Sequence, residues 1–142
     1  MIILAVDYGD ARTGLAVCDK GEMLASPAGV IQEWNLEKTA RRVSEEAVRL
    51  GAQAIVVGNP LNMNGTAGDR SRLCCEFGDK LRELSGLPVR MWDERSTTVS
   101  AIQYLNTTDT RGKRRKAVVD AVAATIILEN YLGYRRNHPE EA

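Results

Sequence analysis

Five apolar residues in succession, Ile2-Ile3-Leu4-Ala5-Val6, end on a carboxylate, Asp7. A strand with no polar alternation has both faces covered, so this run calls for a sheet flanked by helices. Asp7 then closes a core segment with a charge, which is costly unless the charge is paired or binds a metal. Two more carboxylates share that position. Glu94 follows the strand-like stretch Leu87-Pro88-Val89-Arg90-Met91-Trp92, and Asp120 lies on the apolar face of the helical stretch from Ala117 to Tyr131. Three such groups would repel one another if they converged, and a hard divalent cation would relieve that repulsion. The residues therefore point to metal-dependent phosphodiester chemistry.

Periodicity supplies the order of elements. After Ile2–Val6, the stretch Gly9-Asp10-Ala11-Arg12 turns the chain into a second strand from Thr13 to Cys18. Lys20-Gly21 turns it again into a third, roughly Met23 to Ile31, where Pro27 suggests an edge or an irregularity. Close spacing makes these three strands an antiparallel meander. Asn35 caps a helix with apolar residues at Leu36, Ala40, Val43, Ala47 and Leu50, and Gly51 ends it. A short buried strand, Ala54 to Val57, leads into the loop Gly58 to Gly65. Thr66 with Asp69 approximates a capping box for a helix that repeats Leu73, Phe77, Leu81 and Leu84 and stops at Gly86. The strand Leu87–Trp92, a short helix from about Thr97 to Leu105 and a long helix from about Lys116 to Leu132 follow. The pattern predicts an α/β domain over residues 1–134, a mixed five-stranded sheet flanked by helices, with 135–142 as a frayed polar tail.

Composition removes several alternatives. With 142 residues, 44% hydrophobic and 27% charged, the chain is long enough for one domain that buries roughly 70% of its unfolded surface. No apolar run approaches the ~20 residues of a membrane span, and no leader pattern opens the chain, so a cytoplasmic location is expected. The three cysteines, Cys18, Cys74 and Cys75, are odd in number and two are adjacent, which suits reduced thiols. The single histidine, His138, stands in the polar tail, so neither a zinc site nor a histidine base is expected. Acid–base chemistry falls to carboxylates, lysines or metal-bound water.

Net charge is zero, with 19 basic and 19 acidic residues, but Arg111, Lys113, Arg114, Arg115 and Lys116 place five positive charges within six positions. Setting those five aside leaves 14 basic against 19 acidic residues, a charge of −5 elsewhere. The basic run is either a solvated loop or a phosphate-binding element before the helix of Asp120. On the derived topology Asp7 and Glu94 follow the carboxyl ends of strands, where α/β sheets form ligand sites. Ala117, Ala121, Ala124 and Leu128 share the helical face of Asp120, which would carry it inward. Asp120 also suits a helix start, near the positive end of the dipole, and Glu94 also suits an ion pair with Arg95 or a helix cap.

Four ordered motifs carry a family resemblance: Asp7-Tyr8-Gly9-Asp10-Ala11-Arg12-Thr13-Gly14-Leu15-Ala16, Val57-Gly58-Asn59-Pro60-Leu61-Asn62-Met63-Asn64-Gly65-Thr66, Asp93-Glu94-Arg95-Ser96-Thr97-Thr98, and Asp120-Ala121-Val122-Ala123-Ala124 with Ile127-Leu128. Together they resemble the bacterial YqgF-type family, described both as Holliday junction resolvases and as nucleases that mature the small-subunit ribosomal RNA precursor. The resemblance implies a ribonuclease H-like fold and Asp7, Glu94 and Asp120 as metal-binding catalytic carboxylates for Mg²⁺ or Mn²⁺. Two ions about 3.5–4 Å apart would serve without a histidine base. Asp7 would be the shared ligand. Arg12, Arg95, Arg111, Lys113, Arg114, Arg115 and Lys116 would bind the nucleic acid, a structured RNA or a branched DNA. Two positions depart from the family pattern: Asn59 stands where an apolar residue is usual, and Cys74-Cys75 where small residues are.

Three functions follow as expectations: maturation of the 5′ end of pre-16S rRNA, resolution of four-way DNA by a homodimer, or non-catalytic binding to nucleic acid or to ribosomal precursor particles. A sugar-kinase-like ATPase, which Asp-x-Gly followed by Thr and Gly would also suit, needs two domains that 142 residues do not provide. RNA trimming asks only for a monomer. Paired cuts ask for two sites and hence a dimer, which would be weak because no long exposed apolar helix is evident.

Overall fold

The computed structural model describes residues 1–59, 68–93 and 112–137, with side chains from 122 onward in the last stretch. Five strands form one sheet: β1 (Ile3–Asp7), β2 (Arg12–Cys18), β3 (Ala25–Gln32), β4 (Ala54–Asn59) and β5 (Val89–Asp93), in the order β3-β2-β1-β4-β5. β1 pairs antiparallel with β2, and β2 with β3, while β1–β4 and β4–β5 are parallel. This is the expected meander followed by crossovers. The helices are α1 (Leu36–Leu50), α2 (Asp69–Ser85) and α3 (Gly112–Asn137).

β1 sits at the centre, and its alternation sorts the core into two layers. Leu4 and Val6 face one way, with Leu15, Ile55 and Val57, and pack against Ala40, Val43 and Ala47 of α1 and Phe77 and Leu81 of α2. Ile3 and Ala5 face the other way, with Ala16, Cys18 and Val56, and meet Ala124, Ile127, Leu128, Tyr131 and Leu132 of α3. Residues 3 to 6 are all fully buried, as an uninterrupted apolar run requires. Each large apolar side chain among them contributes about 1.5–3 kcal/mol through burial.

Local chemistry sets the boundaries. The Asn35 side chain accepts the Lys38 N–H at 3.0 Å, and Gly51, at φ 72°, ends α1 in the left-handed region. Pro27 lies on the edge strand β3, where the register slips opposite Leu15 and Ala16.

Three expectations need correction. α2 begins at Asp69 after Gly68, with no side-chain cap, so the Thr66–Asp69 capping box does not describe its start; Thr66 lies outside the described residues. Its buried face is Ser71, Cys74, Phe77, Gly78 and Leu81, while Leu73 and Leu84 are exposed. The small residues explain the rotation. A Cβ on Gly78 would meet the Met91 sulfur at 3.0 Å, so the helix turns its smallest side toward β5 and leaves both leucines at the margin.

The third correction concerns α3. It starts at Gly112, so Lys113, Arg114, Arg115 and Lys116 are helical rather than part of a preceding loop, and it runs to Asn137, into the stretch expected to be a polar tail. Arg135 anchors that end: its Nε lies 2.6 Å from Glu22 Oε1. The expected helix over Thr97–Leu105 lies outside the described residues.

Candidate active site at the carboxyl edge of the sheet

The parallel strands β1, β4 and β5 end at the same edge, at Asp7, Asn59 and Asp93. Asp7 is partly buried and pairs in register with Gly14 of β2. Asn59 pairs with Asp93, so the end of β5 lies two strands from β1, about 10 Å away. Glu94 follows Asp93 directly and lies outside the described residues, as do Arg95 and Arg111.

Asp120 is located by the helix that carries it. Ala124 and Leu128, four and eight residues on, are fully buried against the β1–β2 face, and Asp120 belongs to the same helical row. At the far end Arg135 pairs with Glu22, whose second oxygen receives the Met1 ammonium at 3.0 Å. α3 therefore runs from the carboxyl edge of β1 to its amino edge. Fifteen helical residues from Arg135 back to Asp120 span about 22 Å. The six strand steps from Met1 to Asp7 span about 20 Å. For a helix aligned with β1, these lengths put the Asp120 backbone at about the level of Asp7.

Behind Asp7 the chain turns tightly. A Cβ on Gly9 would stand 2.0 Å from the Arg12 carbonyl oxygen, so only glycine fits. The Gly9 N–H donates to the Thr13 hydroxyl at 3.3 Å, and Thr13 is fully buried. Arg12 opens β2 at the same edge.

Sequence reasoning missed Arg70, in the first turn of α2. Its Nη1 donates to Asp10 at 2.6 Å and its Nη2 to the Tyr8 carbonyl, while the guanidinium sits 5.1 Å from the centre of the Tyr8 ring. Tyr8 in turn stacks on Phe77 at 4.4 Å, nearly parallel. Burial pushes the Tyr8 hydroxyl above its ordinary pKa, and Arg70 pulls the other way. An arginine just beyond a Gly/Asn-rich loop was the available signal, but a partner 60 positions away leaves no periodic trace. The Asn59 departure also finds a partner: the buried Ser71 hydroxyl donates to its side chain at 2.5 Å.

Among the described residues no group of three or more His, Cys, Asp or Glu side chains could hold a metal ion. The donors at this edge are hard oxygens, and the lone histidine, His138, comes after α3. Such a set fits Mg²⁺ or Mn²⁺ better than a softer ion. Among the described residues, too, no helix is long and apolar enough to cross a membrane.

Comparison with known proteins agrees with this architecture. A protein from Symbiobacterium thermophilum named "Putative pre-16S rRNA nuclease" is 39% identical over 142 residues, covering 100% of this chain and 99% of its own. A protein of the same name from Caldanaerobacter subterraneus is 37% identical over 139 residues, covering 96% and 99%. Among solved structures, Thermus thermophilus RuvC in complex with a Holliday junction substrate superposes with a TM-score of 0.60 at 15% identity, covering 96% of each chain. The Fowlpox virus resolvase bound to Holliday junction DNA gives 0.59 at 12% identity, covering 94% of this chain and 98% of its own. These two show the shared ribonuclease H-like fold. The family model described as RuvX, Holliday junction resolvase, matches residues 1–134. With that match and those relatives, the chain belongs to the RuvX family of nucleases.

Proposed function

We propose that this chain is a divalent-metal-dependent endonuclease that trims the 5′ end of pre-16S rRNA in the cytoplasm, on ribosomal precursor particles. What supports this reading is that β1 ends on Asp7 at the carboxyl edge, where β5 leads into Glu94, and that α3, whose sequence includes Asp120, packs across the same face of the sheet. Asp7, Glu94 and Asp120 would hold Mg²⁺ or Mn²⁺, two ions in all. Bound there, the metal would supply an activated water and charge stabilisation at the leaving oxygen. Asp7, at the end of β1, would be the ligand shared between them.

Arg12, Arg95, Arg111, Lys113, Arg114, Arg115 and Lys116 neutralise and orient the phosphates without reading sequence. The first turns of α3 support that role. They carry four cations and no acidic residue, against the helix dipole, where a cation costs about 0.3–1 kcal/mol. An anionic partner reverses that sign.

The family description favours a second substrate, the four-way DNA junction, which a weak homodimer would cut at two symmetric sites. Purified protein with Mn²⁺, offered both a four-way junction and a pre-16S rRNA fragment, separates the two. Cuts at the rRNA 5′ end by a monomer support the proposal. Symmetric junction cuts, lost on dilution, replace it with the resolvase reading. Binding without cleavage of either substrate overturns both.

A further inference from the structure

We propose that Arg70 is the positioning residue of the active site, holding the Tyr8–Gly9 peptide, one residue beyond Asp7, so that the carboxylate keeps one orientation. The inference rests on the reading of Asp7 as a metal ligand and adds a residue that acts through it. The Tyr8–Gly9 peptide is tied on both sides. Its carbonyl accepts from Arg70, on a helix 62 positions further along the chain, and its N–H donates to buried Thr13. The Tyr8 side chain is also fixed, between the Arg70 guanidinium and the fully buried ring of Phe77. Tyr8 itself is only 7% exposed. Gly9 removes the remaining slack, because the turn passes too close to the Arg12 carbonyl for any side chain.

The pairing of Arg70 decides between positioning and phosphate binding. Asp10 already takes one arm of its guanidinium and the Tyr8 carbonyl takes another. A fork engaged in this way braces the hairpin, and planar bidentate geometry is what a lysine cannot reproduce. Groups that orient a metal ligand from behind typically change affinity or activity 10–100-fold when removed. α2, which contributes no proposed ligand, thereby becomes part of the catalytic apparatus.

The test uses the full chain and four variants: Arg70→Met, Arg70→Lys, Thr13→Val and Asp7→Asn. Mn²⁺ affinity is measured by calorimetry without nucleic acid, kcat and KM on the cleaved substrate, and the salt dependence of nucleic-acid affinity without metal. Arg70→Met should weaken Mn²⁺ binding and lower kcat by about 10–100-fold, with KM and the salt slope unchanged. Arg70→Lys, which keeps the charge but one arm only, should fall between. Thr13→Val releases the other side of the same peptide and should reproduce the kcat loss if Arg70→Met fails to fold; a wild-type kcat in folded Thr13→Val contradicts the clamp. A salt slope lower by about one unit with kcat unchanged would make Arg70 a phosphate-binding group and overturn the proposal. Wild-type Mn²⁺ affinity and kcat in Arg70→Met overturn it too, and if Asp7→Asn is inactive in the same assay, the metal site itself stands. Cleavage retained by Asp7→Asn overturns the site reading along with the inference.

Discussion

The two edges of the sheet solve opposite electrostatic problems. At the amino edge, Glu22 is met by Arg135 and by the Met1 ammonium, and each charge has an opposite neighbour. At the carboxyl edge carboxylates outnumber the cations shown beside them: Asp7 ends β1, Asp93 ends β5, and Asp10, paired with Arg70, follows in the hairpin. α3 joins the two and repeats the contrast along its own length. Arg135 and Arg136 in its last turn agree with the dipole, whereas Lys113 to Lys116 in its first turns oppose it. The amino edge is closed by ion pairs within the chain, and the carboxyl edge is the one we propose to be completed by a metal and a polyanion.

The largest effect that would sharpen this contrast is at Asp7. Asp7→Asn should lower kcat more than about 100-fold, beyond the loss usual for a group outside the ligand shell. Nucleic-acid affinity should stay within about twofold, since the basic residues that carry it are untouched. Thermal unfolding without metal should show equal or higher stability, because one of several like charges is gone. A clear drop in melting temperature would mean that Asp7 is a structural partner, and the contrast would break.

Next in size is the basic start of α3. Replacing Lys113, Arg114 and Arg115 with alanine should weaken binding and flatten its log–log salt dependence by about 0.7–0.9 unit for each phosphate no longer neutralised. Stability should hold or rise by a few tenths of a kcal/mol per charge, since alanine favours the helix and the dipole conflict is relieved. Fluorescence anisotropy across a salt series, with a parallel melt, reads both. An unchanged slope would leave these residues as a solvated helix end.

The smallest effect belongs to the amino edge. The Arg135 hydrogen bond, aided by the Met1 ammonium, holds Glu22 below the usual carboxylate range despite partial burial. Its folded pKa is below its unfolded value, so its stabilisation is complete above about pH 4.3 and is lost as pH falls through the folded value. Glu22→Gln should therefore cost about 1–2 kcal/mol at pH 7, and the gap to wild type should narrow as pH falls below the unfolded value and toward the lower folded one. Urea denaturation at pH 7 and pH 3 measures the difference. The kcat of the folded variant should match wild type. A pH-independent gap would assign the loss to packing.

Much of this was legible in the residues, for identifiable reasons. Ile3 to Val6 alternate between two layers, and an apolar run that faces two helical layers must be apolar throughout. Asn35 and Gly51 mark α1 because capping is local chemistry. Asp7 stood out because a carboxylate at the end of a buried strand is expensive unless something else uses it. The misplaced face of α2 has a tertiary cause: Gly78 and its small neighbours let β5 approach, and that rotated Leu73 and Leu84 outward. The start of α3 was hidden because a run of cations resembles a loop, although nothing prevents it from being helical. Arg70 was invisible because its partners, Tyr8 and Asp10, are brought to it only by the folded sheet.

The central claim is that the carboxyl edge holds the metal. A crystal soaked in Mn²⁺ and measured at the manganese absorption edge tests it most directly. The account predicts anomalous density bound by the Asp7 carboxylate at about 2.0–2.2 Å, with Glu94 and Asp120 as the other protein ligands. Manganese bound elsewhere, with Asp7 surrounded only by water and protein, would contradict it.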